Sequence, residues 1–247
     1  MELFTARNTA FEVEQAGPGI GLLPIGATEQ HSRHLPLLTD TLLADSLSAR
    51  ILRATDYPGS AYLLPTLPVS SSEENTGYAG ALNFTPLTLR AIIRDLYDSL
   101  ARAGMQRCII CAWHGGNFIL KPVIRELNHE LGAARLLYLN PFEHLPAEML
   151  GEFAGGFEFH AGEVETSIML AIDPAGVSAD CRDNPQPFHP GWLDLHSMKT
   201  LTNGEGHAGH PTRASAEKGR RIIEAMIKGS AEYLKATLGM AERYEGY

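Results

Sequence analysis

Arg107-Cys-Ile-Ile-Cys-Ala-Trp113, followed at once by His114-Gly-Gly-Asn117, is the stretch that decides the fold class. A short apolar run with no polar alternation suits a strand covered on both faces, as in a parallel sheet. The two glycines then open a loop and the next helix. Working outward, Leu22–Ile25 is a similar run that breaks at Gly26, while Ala61–Leu64 and Arg135-Leu-Leu-Tyr-Leu139 read as two more strands. Between them lie segments whose apolar residues recur three and four apart, from Asp40 to Leu52 and from Leu89 to Gly104. Pro86 sits where a helix start tolerates it. Gly162–Leu170 and Ala214–Leu238 complete the helical set, and a Ser-, Asn- and Gly-containing loop runs from Ser70 to Asn83. Strand and helix signals alternate throughout, which predicts a three-layer α/β/α fold with a mostly parallel central sheet. With no repeat and no linker, residues 1–247 read as one domain.

Composition narrows the function classes. Hydrophobic content of 44% and charged content of 20% are ordinary for a globular protein. A formal charge of −9 argues against a nucleic-acid partner, which needs a basic face. No apolar stretch approaches the roughly 20 residues that cross a bilayer. The N-terminus lacks the basic start and apolar run of a signal peptide, and the three cysteines are too few for a stapled secreted fold. The expectation is a cytoplasmic protein with a small-molecule substrate.

Three clusters carry the chemistry. In Pro24–Asp40, Glu29 and His31 lie two apart after a strand end, and Asp40 starts the next helix. Carboxylate plus imidazole suits zinc, manganese or iron, and a carboxylate can bridge two ions. His114 follows the second strand end, where Gly115 and Gly116 let backbone approach a ligand. The third cluster places His160, Glu163 and Glu165 within six positions at a helix start. The helix dipole alone would explain the two acids but not the histidine. All three clusters sit at turns along one edge of the expected sheet, so their side chains can converge.

Thr28-Glu-Gln-His31 with His34-Leu-Pro-Leu-Leu-Thr-Asp40, then His114-Gly-Gly-Asn117, then His160-Ala-Gly-Glu-Val-Glu-Thr-Ser167 together resemble the creatininase family in order and spacing. Ala214-Ser-Ala-Glu-Lys-Gly-Arg220 is similar to that family's tail segment. The resemblance implies an α/β hydrolase with two divalent metal ions per chain, zinc first and manganese or iron as alternatives, in a homohexamer built from dimers. By position, Glu29 would bind one metal with His114, His31 the other, and Asp40 both. Creatininase carries a glutamate two residues after the histidine, where this chain has Gly116. Glu163 is the candidate replacement, with Glu165 supporting it or taking its place. His160 matches the catalytic histidine, which passes a proton to the departing nitrogen. The implied reaction is cleavage of an amide-type C–N bond in a small cyclic amide or formamide. Relatives that cleave short peptides or a C–C bond in a cyclic ketone supply alternatives, and a silent metal-binding subunit is the reading from outside enzymology.

The chain also departs from the pattern. Ser32-Arg33 replaces the usual Gly-Pro, Asn75 stands where relatives carry His, and Ala112-Trp113 replaces Asn-Gly before His114. The tryptophan-bearing substrate loop is not recognisable between Glu143 and His160. Arg33 and Trp113 at the mouth would suit an anionic or planar substrate. Cys108 and Cys111, three apart on a strand, face opposite sides and cannot share a metal. His207 and His210, with Glu205, read as a glycine-rich loop over the site, with direct ligation as the other option. His129, His144, His189 and His196 read as surface or satisfied core residues, and Trp192 as lining a pocket or packing.

Overall fold

The computed structural model describes residues 1–146, 149, 158, 160–187 and 197–241, so His189, Trp192 and His196 lie outside the described residues. Five strands form one sheet: β1 (Glu2–Thr5), β2 (Ile20–Ile25), β3 (Ser60–Leu63), β4 (Arg107–Ala112) and β5 (Leu136–Leu139). Their order is β1-β3-β2-β4-β5, and every pairing is parallel. Pro24 lies within β2 and cannot donate to a ladder. Its carbonyl accepts from Leu67 at 3.0 Å on the side where β3 has already ended, so the missing N–H breaks no pairing with that strand.

Helices cover both faces, as the alternation of signals predicts. Residues of β4 divide between two cores: Ile109 and Cys111 face one, Cys108 and Ile110 the other. The first core is closed by α2 (Thr39–Ala54), α5 (Glu163–Ile172) and α7 (Ala216–Ala241). The second is closed by α3 (Pro86–Arg102) and α4 (Leu120–Leu131). The opposite facing of Cys108 and Cys111 is as expected, and burial pushes both thiols up to about 12. Inert core packing is their role. Strand β1 and helix α1 (Ala10–Ala16) gave no sequence signal. Helix α1 buries none of its residues, so it has no apolar stripe, and it is fixed by a capping box between Thr9 and Glu12. A short α6 (Met198–Leu201) precedes the Gly204–Gly209 loop. No helix among the described residues is long and apolar enough to cross a membrane.

Candidate metal centre

The register Ile25↔Ala112 brings β2 and β4 to the same rim of the sheet, so the loops that follow them start side by side. Gly26 then lets α2 approach. A Cβ there would meet Thr41 backbone atoms at 2.7 Å, so only glycine accepts the first turn of α2 so close. Thr41 Oγ1 donates to the Ala27 carbonyl at 3.1 Å, and Glu29 N donates to Leu37 O at 3.0 Å, closing the loop back on itself. Glu29, His31 and Asp40 are thereby folded together over the rim, where His114 arrives from β4.

These four side chains are buried, none more than 4% exposed. His114 Nδ1 stands 3.1 Å from Glu29 Oε1 and 3.5 Å from Asp40 Oδ2. His31 Nε2 stands 3.5 Å from Asp40 Oδ1. Asp40 thus turns one oxygen toward each histidine. Two donors held about 2.1 Å from one ion in tetrahedral geometry lie roughly 3.4 Å apart, which is the spacing seen. Glu29 Oε1, His31 Nε2 and Asp40 Oδ2 are buried with no hydrogen-bond partner, a costly state unless something else satisfies them. His31 Nδ1 faces the Glu29 carbonyl at 3.2 Å and can donate to it, which leaves Nε2, on the Asp40 side, as the nitrogen that would ligate an ion. The donor set fits divalent metal.

The charges are strongly coupled. Burial opposes the Glu29 charge, but His114, His160 and His31 outweigh it and hold the carboxyl far below its usual range. Burial lowers His31, yet Asp40, Glu165 and Glu29 hold it up at about 9. His114 is raised well above its ordinary value against burial, chiefly by Glu29. Asp40 is raised by burial and by Glu29, with His31 opposing.

The third cluster reaches the same rim, by way of a preceding segment that lies mostly outside the described residues. His160 and Ala161 have φ of 52° and 50°, a left-handed conformation that costs non-glycine residues about 1 kcal/mol or more each. Three contacts hold it. His160 Nε2 donates to the Gln30 carbonyl at 2.6 Å, His34 Nε2 donates to the Ala161 carbonyl at 3.0 Å, and Glu165 accepts from Ala161 N. His160 Nδ1 then faces Glu29 Oε1 at 3.4 Å, and its ring lies 4.4 Å from that of His31.

Glu163, the candidate fifth ligand, does not join these groups. Its carboxylate pairs with Lys218 instead, because the first turn of α5 points it at α7. Glu165, two residues on, offers an oxygen within 4.8 Å of donor atoms on His31 and Asp40. The five remaining expected residues, Glu29, His31, Asp40, His114 and His160, do come together.

Sequence reasoning did not connect the Ser70–Asn83 loop with Glu29. Ser72 and Asn75 both donate to Glu29 Oε2, Asn75 at 2.8 Å. Gln30 donates to Asn75 Oδ1 at 2.7 Å and to the Gly206 carbonyl at 2.8 Å, tying the glycine-rich loop to the rim. Glu74 Oε1 lies 3.2 Å from His114 Nε2, within ion-pair range though off the ring's N–H direction. Nothing in a polar loop marks one glutamate out. Trp113 is a correction: it is 1% exposed, donates to Ser48 Oγ at 3.0 Å and packs in the first core, not at the mouth. Arg33 is exposed and faces Glu205 at 3.4 Å. His207 meets the Arg182 carbonyl at 2.8 Å and His210 meets Asp183 at 3.2 Å; neither joins a candidate metal group among the described residues. His144 stacks on Tyr233 with ring centroids 4.3 Å apart.

Residues 6–234 match the family model described as creatinine amidohydrolase. A mycofactocin precursor peptide peptidase from Mycolicibacterium smegmatis is 30% identical over 220 residues, covering 87% of this chain and 83% of that one. The creatinine amidohydrolase of Pseudomonas putida is 28% identical over 236 residues, covering 89% and 90%. A mutant creatininase structure of Zn-Zn type superposes with a TM-score of 0.79 at 23% identity, over 100% of both chains. That last likeness speaks for the fold alone.

Proposed function

The chain belongs to the creatininase family, and on that premise we propose that it is a dinuclear-metal hydrolase of an amide-type C–N bond. The observation that carries this reading is Asp40, buried with one oxygen toward His31 and the other toward His114, amid donor atoms that nothing else satisfies. Glu29, Asp40 and His114 would hold one ion, and His31, Asp40 and Glu165 the other. Carboxylate and imidazole donors favour zinc, with manganese or iron as alternatives.

When bound, such ions lower the pKa of water and polarise a carbonyl. The protein's part is to supply and aim the rest. Asp40 fixes the separation of the two histidines. Ser72 and Asn75 occupy the outer oxygen of Glu29 and leave Oε1 facing inward. His160 gives its Nε2–H to the Gln30 carbonyl, so Nδ1 is the atom that faces Glu29 Oε1 and the candidate metal centre. A proton taken up there can be delivered to a departing nitrogen, a task suited to imidazole near neutral pH. The contacts that hold the left-handed backbone at His160 and Ala161 keep that ring in place.

A small cyclic amide or formamide is the first substrate class. A short peptide is the second, favoured by the 30% identity to a relative named as a peptide peptidase. Chelator-stripped protein, reloaded with zinc or manganese, should be screened against lactams, formamides and short peptides. We expect close to two metals per chain and turnover only after reloading. His160→Ala should retain both metals and lose about 100- to 10,000-fold in turnover; a normal rate would dismiss it as proton carrier. Protein that binds no metal under any condition would end the proposal.

A further inference from the structure

We infer that Glu74 is a positioning residue for the metal centre, holding His114 from behind through its Nε2, and that Gly116 exists as glycine to leave room for that contact. The inference rests on the dinuclear reading above and concerns one of its two ions. An imidazole offers an ion one nitrogen at a time. In His114 that nitrogen is Nδ1, which faces both Glu29 Oε1 and the inner oxygen of Asp40. Nε2 must then carry the proton; it is buried without a hydrogen-bond partner, and the carboxylate charge of Glu74 stands beside it, with Oε1 3.2 Å away and off the N–H direction. A carboxylate at that nitrogen fixes the tautomer, orients the ring and makes the opposite nitrogen a stronger ligand.

Gly116 supplies independent support. A Cβ there would fall 2.4 Å from His114 Nε2, 2.8 Å from Glu74 Oε1 and 2.4 Å from the Ser71 carbonyl. The absent side chain is therefore the space through which the two groups meet. Glu74 lies in the short turn Glu73–Asn75, and its neighbours in the chain are already committed: Ser72 and Asn75 hold Glu29. One stretch of loop thus braces two groups assigned to the same ion, Glu29 through hydrogen bonds and His114 through charge. Glu74 itself is 26% exposed, so its charge is cheap to keep and remains available to the ring.

The test is metal affinity, measured by competition with a chelator on full-length protein. Glu74→Ala should weaken one of the two zinc equivalents about 10- to 100-fold and leave the other within threefold. Glu74→Gln, which keeps the shape of the side chain but not its charge, should recover little of that loss. Metal-free protein should stay folded in both, and the zinc ligand count by X-ray absorption at saturation should equal that of the unaltered protein. Gly116→Ala should repeat the Glu74→Ala result. Equal affinities in Glu74→Ala and the unaltered protein would overturn the inference. So would loss of one oxygen ligand, which would make Glu74 a ligand in its own right. Unaltered protein binding two equivalents while Glu74→Ala binds identically defeats this inference only; unaltered protein binding none defeats the dinuclear reading itself.

Discussion

Glu29 and Glu163 are both buried carboxylates, 0% and 2% exposed, and they sit in one molecule in opposite circumstances. Glu163, at the start of α5, meets Lys218, which also donates to the Arg213 carbonyl at 2.8 Å. Its charge is neutralised by the chain itself. Glu29 shares its pocket with a second acid, Asp40, and each keeps one oxygen with no hydrogen-bond partner. A buried acid that its own fold satisfies is there to hold the fold. A pair left short, facing imidazoles at the donor spacing of an ion, is what the proposed metal centre requires. Exposure and sequence spacing would not separate the two cases; the partners do.

The sharpest way to break this contrast is to remove one acid from each region. Asp40→Asn should lose metal and about a thousandfold in turnover, several kcal/mol of transition-state stabilisation, with metal content and steady-state rate as the readouts. Glu163→Gln should change both by less than twofold. If Glu163→Gln behaves like Asp40→Asn, the distinction fails.

Acidity sharpens the contrast next. In metal-free protein His31 is held up at about 9 against an ordinary 6.5, by Asp40 and its fellow acids working against burial. A raised histidine adds stability that is complete below about pH 6.5 and lost as pH rises through 9. Chelator-stripped protein should therefore lose up to roughly 3 kcal/mol of unfolding free energy between pH 6.5 and 9. Metal must displace that proton to bind, so the reloaded protein should lack the slope. Denaturant titrations at both pH values decide it, and a metal-free slope of the opposite sign would show that the acids do not hold a proton on His31.

Lys218→Met asks the same question of the other region. It leaves Glu163 buried without its cation, which should cost about 2 kcal/mol, less than for a fully buried pair because Lys218 is one-third exposed. Metal content should stay at the unaltered value.

What the sequence disclosed follows the same division. The fold was legible because β4 is apolar on both faces and the helices repeat every three to four residues. The structure starts β2 at Ile20 and α2 at Thr39, each within two residues of the reading. Elements that bury little, such as β1 and α1, left no pattern to read. That Glu29, His31, Asp40, His114 and His160 come together was legible because they stand beside strand ends or a helix start. The choice between Glu163 and Glu165 was not. Two acids in one helical turn point about 200° apart, and only the presence of Lys218 on α7 shows which one the fold has already claimed. Glu74 was hidden for a related reason, since its significance depends on an atom missing from Gly116.

Glu158 tests the rule at its margin, because it belongs to neither region cleanly. It accepts from Val164 N at 3.2 Å at the start of α5, yet its Oε2 has no hydrogen-bond partner. A Cβ on Gly162 or Gly209 would come within 2.0 or 2.2 Å of its carboxylate, so two glycines shape its berth. Burial pushes this acid up to about 7 from an ordinary 4.5. An acid raised on folding binds its proton more tightly in the native state. Stability from this group is therefore greatest below about pH 4.5 and declines as pH rises toward 7. Glu158→Gln keeps an oxygen for Val164 and removes the charge. The variant should match the unaltered protein near pH 4.5 and exceed it by roughly 1–2 kcal/mol at pH 8, a figure reduced for the group's partial exposure. Paired denaturant titrations at those two values check the difference. A variant no more stable at pH 8 would place Glu158 with Glu163, as an acid whose charge the fold already accommodates.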